Sequence, residues 1–379
     1  MPYTVPGDVV RVEDGRLVEI VEPSPHRMSP VCRHFGICGG CALQHLDDET
    51  YRSFKRDLVV QTLAQRGIAD VHVNEPVVVA PKTRRRAVLK AIKQNGETKI
   101  GFNARQSHAV VDMHECHVLT PELFVLVGTL RVLMHAVLRE GEQAELHLTE
   151  ADNGFDLSLK MKRANTPAVT AQIAQRAAQI GLIRVTAGGE PIAEFEAPRL
   201  KIANADVRLP PEPFLQPTAE SERFLQTYVR DNIGKAKSVV DLFCGIGTFA
   251  LPLAAHAKVQ AFDSDAAMIA SLAAAARAVK GLKPLTAERR DLFRRPLMAP
   301  ELDKFDAIVM DPPHAGAAAQ AEQIAKSKVA RVIYVSCNPA SFARDARTLI
   351  DGGFRLAAIT PVDQFLWSAQ LELAARFER

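Results

Sequence analysis

The residues best suited to chemistry in this chain are cysteines and carboxylates near the ends of apolar runs. Cys337 lies in Tyr334-Val335-Ser336-Cys337-Asn338-Pro339, at the tip of a strand-like run. A thiol at a strand tip faces a ligand edge rather than the core, and its thiolate can act as a nucleophile. Asp311 ends a second such run, Ile308-Val309-Met310-Asp311-Pro312-Pro313, where two prolines impose a rigid turn. Glu372 stands in Gln370-Leu371-Glu372-Leu373, and its apolar flanks would raise its pKa toward that of a useful general base. A separate group, Cys32, Cys38 and Cys41, is spaced C-x5-C-x2-C, with Gly39 and Gly40 letting the chain wrap around a metal centre. Cys116, in His114-Glu115-Cys116-His117, is the candidate fourth ligand. Four thiolates suit an iron–sulfur cluster or a tetrahedral zinc, and spacing does not choose between them. Cys244 reads as a small packing residue.

The elements that must position these groups differ along the chain. From Ser238 onward, short apolar runs alternate with helical stretches. Strands are expected at Ser238–Phe243, Val259–Phe262, Phe305–Met310, Arg331–Val335, Phe354–Thr360 and Leu371–Phe377. Helices are expected near Gly247–His256, Ala266–Lys280, Ala317–Lys326 and Ser341–Asp351. That alternation argues an α/β fold with a doubly wound sheet. Residues 76–209 read as a separate α+β domain. Its expected strands are Val77–Val79, Ala87–Ile92, Lys99–Phe102, Ala144–Leu148 and Phe155–Lys160, and its helices Pro121–Arg139 and Ala168–Ile180. Leu209-Pro210-Pro211-Glu212-Pro213 marks the junction with the α/β domain, residues 210–379. Residues 26–75 form the cysteine-cluster segment. Val9–Val12 and Arg16–Val21 could be the last strands of a β-barrel, of which residues 1–25 would be a remnant.

The run from Asp241 to Phe249, Asp-Leu-Phe-Cys-Gly-Ile-Gly-Thr-Phe, is a strand passing into a glycine turn. Gly245 and Gly247 would let the backbone approach a ligand, and Asp263 at the end of the next strand is placed for ribose hydroxyls. Alone, the loop also admits a nicotinamide or other nucleotide. The formal net charge is +3 and the hydrophobic content 47%, so the whole chain is neither strongly basic nor disordered in composition. Eight basic residues and one acid fall between Lys82 and Arg105, densest at Lys82-Thr83-Arg84-Arg85-Arg86. Such a patch suits phosphate contacts or a solvated face. The N-terminus has no signal-peptide pattern and no apolar run spans a bilayer, so a cytoplasmic protein with reduced thiols and no membrane partner is expected.

Taken together, the 241–249 loop, Asp311-Pro312-Pro313 and Ser336-Cys337-Asn338-Pro339 resemble the motifs of the RNA (uracil-5-)-methyltransferase family, in the same order, over most of the chain. The resemblance implies a C-terminal Rossmann-like class I methyltransferase domain using S-adenosyl-L-methionine. It implies donor contacts from Gln216, in Phe214-Leu215-Gln216, and from Phe243, Gly245, Gly247, Thr248, Asp263, Asp291 and Asp311. It places Cys337 as the nucleophile toward carbon 6 of uracil and Glu372 as the base that removes the carbon 5 proton. Thr248, Asp263 and Asp291 stand where the family often has Asn, Glu and Asn, and Gln370 where a His is usual. The iron–sulfur members of the family carry the arrangement of Cys32, Cys38, Cys41 and Cys116 for a [4Fe–4S] cluster, whose role here would be structural or RNA-holding. A monomer acting on 23S rRNA is expected, with the tRNA T-loop as the alternative RNA. The target base should be flipped from single-stranded or looped RNA into the cleft. The rival readings are cytosine-5 methylation and a catalytically silent, metal-containing RNA-binding protein.

Overall fold

The computed structural model of the protein describes residues 2–379. The chain begins with a hairpin, β1 (Val9–Glu13) and β2 (Arg16–Glu22), then the cysteine segment, α1 (Asp48–Ala64) and β3 (Val77–Val78). A central unit follows: β4 (Arg86–Gln94), β5 (Glu97–Gly101), α2 (Pro121–Val137), β6 (Gln143–Ala151), β7 (Gly154–Lys160), α3 (Pro167–Ala177), β8 (Leu182–Ala187) and β9 (Glu190–Glu194). A second hairpin, β10 (Arg199–Ile202) and β11 (Ala205–Arg208), leads into the last unit. That unit comprises α4 (Ala219–Asn232), β12 (Ser238–Leu242), α5 (Ala250–Ala254), β13 (Lys258–Asp263), α6 (Ala266–Ala278), β14 (Leu285–Arg289), α7 (Ala299–Leu302) and β15 (Ala307–Met310). It closes with α8 (Ala318–Lys326), β16 (Arg331–Ser336), α9 (Pro339–Asp351), β17 (Arg355–Asp363) and β18 (Glu372–Glu378).

The last unit is built on an eight-stranded sheet in the order β14-β13-β12-β15-β16-β18-β17-β3. Its strands pair in parallel except for β18, which runs against β16 and β17. Strand alternation divides the core in two. Val240, Leu242, Ile308, Met310, Val332 and Tyr334 face α8, α9 and Val59 and Leu63 of α1. Val239, Val309, Ile333 and Val335 face α4, α5, α6 and the β10–β11 hairpin. The central unit is a six-stranded sheet, β5-β4-β6-β7-β8-β9, with α2 and α3 packed on one face.

Two domain borders fall elsewhere than expected. Val77 and Val78 do not open the central unit: they pair with Val362 and Asp363 as an edge strand of the C-terminal sheet. Helix α1 likewise packs on that sheet, so residues from about Asp48 to Val78 belong to it. At the other border, Leu200, Ile202, Ala205 and Val207 bury their side chains with the C-terminal core, upstream of the proline-rich stretch.

The basic run is also used differently from a phosphate-facing patch. Arg85 is buried and paired with Glu222 at 2.6 Å. Arg86 donates to the Leu215 carbonyl at 2.9 Å and lies over the Phe214 ring. Arg84 is turned toward Cys116 and Cys41, where burial lowers its pKa and the sulfurs work to raise it. Of a run that suited phosphate contacts or a solvated face, Arg85 and Arg86 instead meet the Glu222 carboxylate and the Leu215 carbonyl and fasten the segment after the junction.

Candidate active site

Sheet register brings the candidate groups to one edge. Leu242 lies beside Met310, and Met310 beside Tyr334, so Phe243 and Asp311 leave the carboxyl ends of β12 and β15 together. Ser336 of β16 pairs with Leu373 of the antiparallel β18. One step further along each strand, Cys337 and Glu372 therefore stand at adjacent ends. This is the crevice outside the strand ends where open α/β sheets take ligands. Asn338 and Pro339 begin α9 here: the Asn338 side chain caps the helix by accepting from the Ala340 amide at 3.0 Å. Its amide donates to the His314 carbonyl at 2.9 Å, fastening the Asp311-Pro312-Pro313 turn to Cys337.

The electrostatics of this edge are those of three acids crowded together. Glu372 is 1% exposed. Burial raises its pKa well above the usual carboxylate range, as does the facing Asp311, while the Gln364 amide opposes both. Asp311 keeps part of its surface open, yet burial pushes its carboxyl up to about 7 against the Gln216 amide. The Cys337 thiol is pushed up to about 12 by burial and by the charges of Glu372 and Asp311. A cation entering this crevice would favour the ionised form of all three. A planar acceptor beside Cys337 could take the thiolate on one carbon and give up a proton to a carboxylate.

The glycine turn lies beside these groups. Gly245 has φ +53° and Gly247 φ +95°, and a Cβ on Gly247 would meet Leu272 Cδ1 at 2.4 Å. Phe243 is itself left-handed, φ 63°, an outlier for a bulky side chain. Its ring packs on Phe293 at 5.5 Å. Asp263 accepts from the Gly245 amide at 3.0 Å and from the Asp265 amide at 2.9 Å, so it braces the turn as well as facing it. Asp291 caps the turn that carries Phe293, accepting from the Phe293 amide at 3.0 Å. Thr248 is half-buried on the glycine turn. Gln216 is buried and donates to Asp311 at 3.2 Å.

Several residues at this edge were not singled out from the sequence. Gln364 donates to Glu372 Oε2 at 2.7 Å and to Gln216 Oε1 at 2.8 Å, and accepts from Ser221 Oγ at 2.8 Å. Asp241 is wholly buried, and its pKa is raised well above the usual range by burial and by Asp311, against the Ala250 backbone amide. Its signal was a charged residue within an otherwise apolar strand. Lys55 and Asp363, both wholly buried, pair at 2.8 Å beneath the loop between β17 and β18. Lys55 also donates to the Ser368 and Gln370 carbonyls at 2.7 and 2.6 Å.

The other cysteines converge on a second pocket, lined by Cys32, Cys38, Cys41 and Cys116 with Phe102 and Met113 among its walls. Burial raises all four thiol pKa values, Cys41 to about 12, and Cys116 acts on the other three through its charge. Such thiols ionise together only around a positive core. Among the described residues, the grouping whose ligand atoms all lie within 4.8 Å of one another is Cys32, His34 and Glu115, not the four cysteines. Four converging thiols could hold a tetrahedral zinc or a polynuclear iron–sulfur core.

The sheet, the glycine turn and the crowded strand ends define a Rossmann-type methyltransferase. Residues 193–379 match the family model for tRNA (Uracil-5-)-methyltransferase. An uncharacterized RNA methyltransferase of Brucella suis is 44% identical over 99% of this chain and 91% of its own length. The 23S rRNA (uracil(1939)-C(5))-methyltransferase RlmD of Aeromonas hydrophila is 32% identical over 99% of this chain and 90% of its own. The crystal structure of the Pyrococcus abyssi tRNA (uracil-54, C5)-methyltransferase in complex with S-adenosyl-L-homocysteine superposes with a TM-score of 0.75, covering 99% of this chain and 94% of that one at 23% identity. The chain belongs to the RNA (uracil-5-)-methyltransferase family and is an enzyme that acts on RNA. No helix among the described residues is long and apolar enough to cross a membrane.

Proposed function

We propose that this enzyme methylates carbon 5 of a uridine in 23S rRNA, with Cys337 as nucleophile and Glu372 as base. S-adenosyl-L-methionine would supply the methyl group as an electrophilic sulfonium. The observation that carries this reading is the register placing Cys337, Glu372 and Asp311 at one sheet edge. The Cys337 thiolate adds to carbon 6 of the flipped base, which makes carbon 5 nucleophilic toward the methyl group. Glu372 then takes the carbon 5 proton, and the electrons of that bond expel Cys337 from carbon 6. Gln216, Phe243, Gly245, Gly247, Thr248, Asp263, Asp291 and Asp311 form the wall against which the donor binds. A sulfonium bound beside Asp311 and Glu372 would favour their ionised forms and offset their mutual repulsion until the methyl group is transferred.

Cys32, Cys38, Cys41 and Cys116 hold a [4Fe–4S] cluster in this reading. The convergence of the four half-buried cysteines on one pocket supports it. In this reading the enzyme is a cytoplasmic monomer, and in that compartment thiols stay reduced and free to bind metal. The choice of 23S rRNA rests on the likeness to RlmD over nearly the whole chain. Cys337→Ala should abolish methyl transfer and leave donor binding intact; retained transfer would refute the mechanism. Mapping 5-methyluridine in rRNA and tRNA from a deletion strain tests the target, and a loss confined to tRNA would overturn it.

A further inference from the structure

The direction of the Gln364 amide is set at its carboxylate end, while Ser221 Oγ shares its one proton between Gln364 Oε1 and the Thr218 carbonyl at 3.1 Å. Gln364 Oε1 accepts from Ser221 Oγ at 2.8 Å, and Ser221 Oγ lies 2.8 Å from Thr218 Oγ1, the cap of α4. The amide nitrogen of Gln364 is turned to Gln216 Oε1 at 2.8 Å and Glu372 Oε2 at 2.7 Å. Gln216 in turn presents its own nitrogen to Asp311 at 3.2 Å. Flipping Gln364 would set an amide oxygen against both another amide oxygen and a carboxylate. Glu372 Oε2 is thus engaged, whereas its Oε1 is buried and has no hydrogen-bond partner among the described residues.

We propose that Gln364, aligned by Ser221, is a positioning residue that reserves Oε1 of Glu372 for the proton leaving carbon 5. The inference rests on the reading of Cys337 as nucleophile and Glu372 as base. In the step concerned, the carbon 5–hydrogen bond breaks and the proton passes to Glu372 Oε1. The electron pair forms the carbon 5–carbon 6 double bond, the carbon 6–sulfur bond breaks, and Cys337 leaves as thiolate. The charged or titratable groups facing Glu372 are Asp311 and Cys337, both of which disfavour its ionised form. Gln364 is the donor that counters them. Without it the carboxylate can rotate, and its protonated form is favoured at a higher pH.

The test uses the full chain, S-adenosyl-L-methionine and RNA containing the target uridine, in single-turnover and steady-state assays. Gln364→Leu should lower kcat about 100-fold. The acidic limb of its kcat–pH profile should move upward by about one pH unit. Adduct formation precedes the step that is slowed, so the Cys337–RNA adduct should accumulate above the wild-type level on denaturing gels. Ser221→Ala should move the same three readouts in the same direction by less. Parallel loss of adduct and product in both variants, with the acidic limb unmoved, would overturn the inference, as would wild-type behaviour of Gln364→Leu. Cys337→Ala serves as the control: product from that variant would break the underlying mechanism rather than the role of Gln364.

Discussion

Replacing Lys55 with Met removes an ammonium while keeping most of the side-chain volume. Lys55 and Asp363 are both 0% exposed. In Lys55→Met, Asp363 keeps the Tyr51 hydroxyl, and the Ser368 and Gln370 carbonyls lose their lysine donor. Breaking a buried ion pair by deleting one member costs about 3–5 kcal/mol, most of it from the charge left behind. Deleting both members should recover most of that loss, so Lys55→Met with Asp363→Leu is the matched control. The chain has one tryptophan, Trp367, within the clamped loop, and its amide donates to the Tyr51 hydroxyl at 2.8 Å. Urea unfolding followed by tryptophan fluorescence therefore reads the affected loop directly. Lys55→Met should lose about 3–5 kcal/mol of unfolding free energy. A loss under about 1 kcal/mol, the range of an exposed pair, would refute the reasoning. So would a double variant less stable than the single one.

Gly247→Ala meets both a left-handed φ of +95° and a 2.4 Å contact with Leu272. It should weaken methyl-donor binding about 10-fold or more by calorimetric titration, and an unchanged Kd would remove the glycine turn from the donor site. Burial raises the Asp311 pKa from 3.8 to about 7. A raised acid stabilises the fold below its unfolded pKa and loses that contribution as pH rises through the folded one. The ligand-free enzyme should therefore melt at lower temperature as pH climbs through that window, with a shallower decline in Asp311→Asn, as scanning fluorimetry would show. Cys116→Ser should lose bound iron and acid-labile sulfide after anaerobic purification. Full iron content would exclude Cys116 as a ligand, and about one zinc per chain without iron would replace the cluster.

Much of the C-terminal fold was legible because buried parallel strands are continuous apolar runs with sharp polar ends. Those ends, Asp311 and Cys337, sit where the runs stop. Helix α1 was hidden because its buried stripe is Tyr51, Lys55, Val59 and Leu63, in which a lysine interrupts the apolar period. Strand β14, Leu285–Arg289, is a half-exposed edge and carries no alternation strong enough to read. Arg84, Arg85 and Arg86 show the limit of local charge counting. Their partners, Glu222, Leu215 and the cysteine pocket, lie far away in sequence, and only the fold brings them together. Gln364 was missed for the same reason: its role depends on Ser221 and Gln216, each contributed by the segment around the start of α4.

The Lys55–Asp363 pair also sets an order of assembly. The partners are 308 residues apart in sequence, and Tyr51 reaches the same carboxylate across 312. Contacts of such separation form late, because the chain between them must be organised first. During synthesis, α1 leaves the ribosome long before β17 exists, with Lys55 in its otherwise apolar stripe still in water. Val59 and Leu63 of the stripe can meet α9 once that helix exists, but Lys55 has no carboxylate partner until Asp363 is made. Burial of Lys55 and closure of the last loop thus become one terminal event, and a nascent chain halted before residue 363 leaves Lys55 without its Asp363 partner.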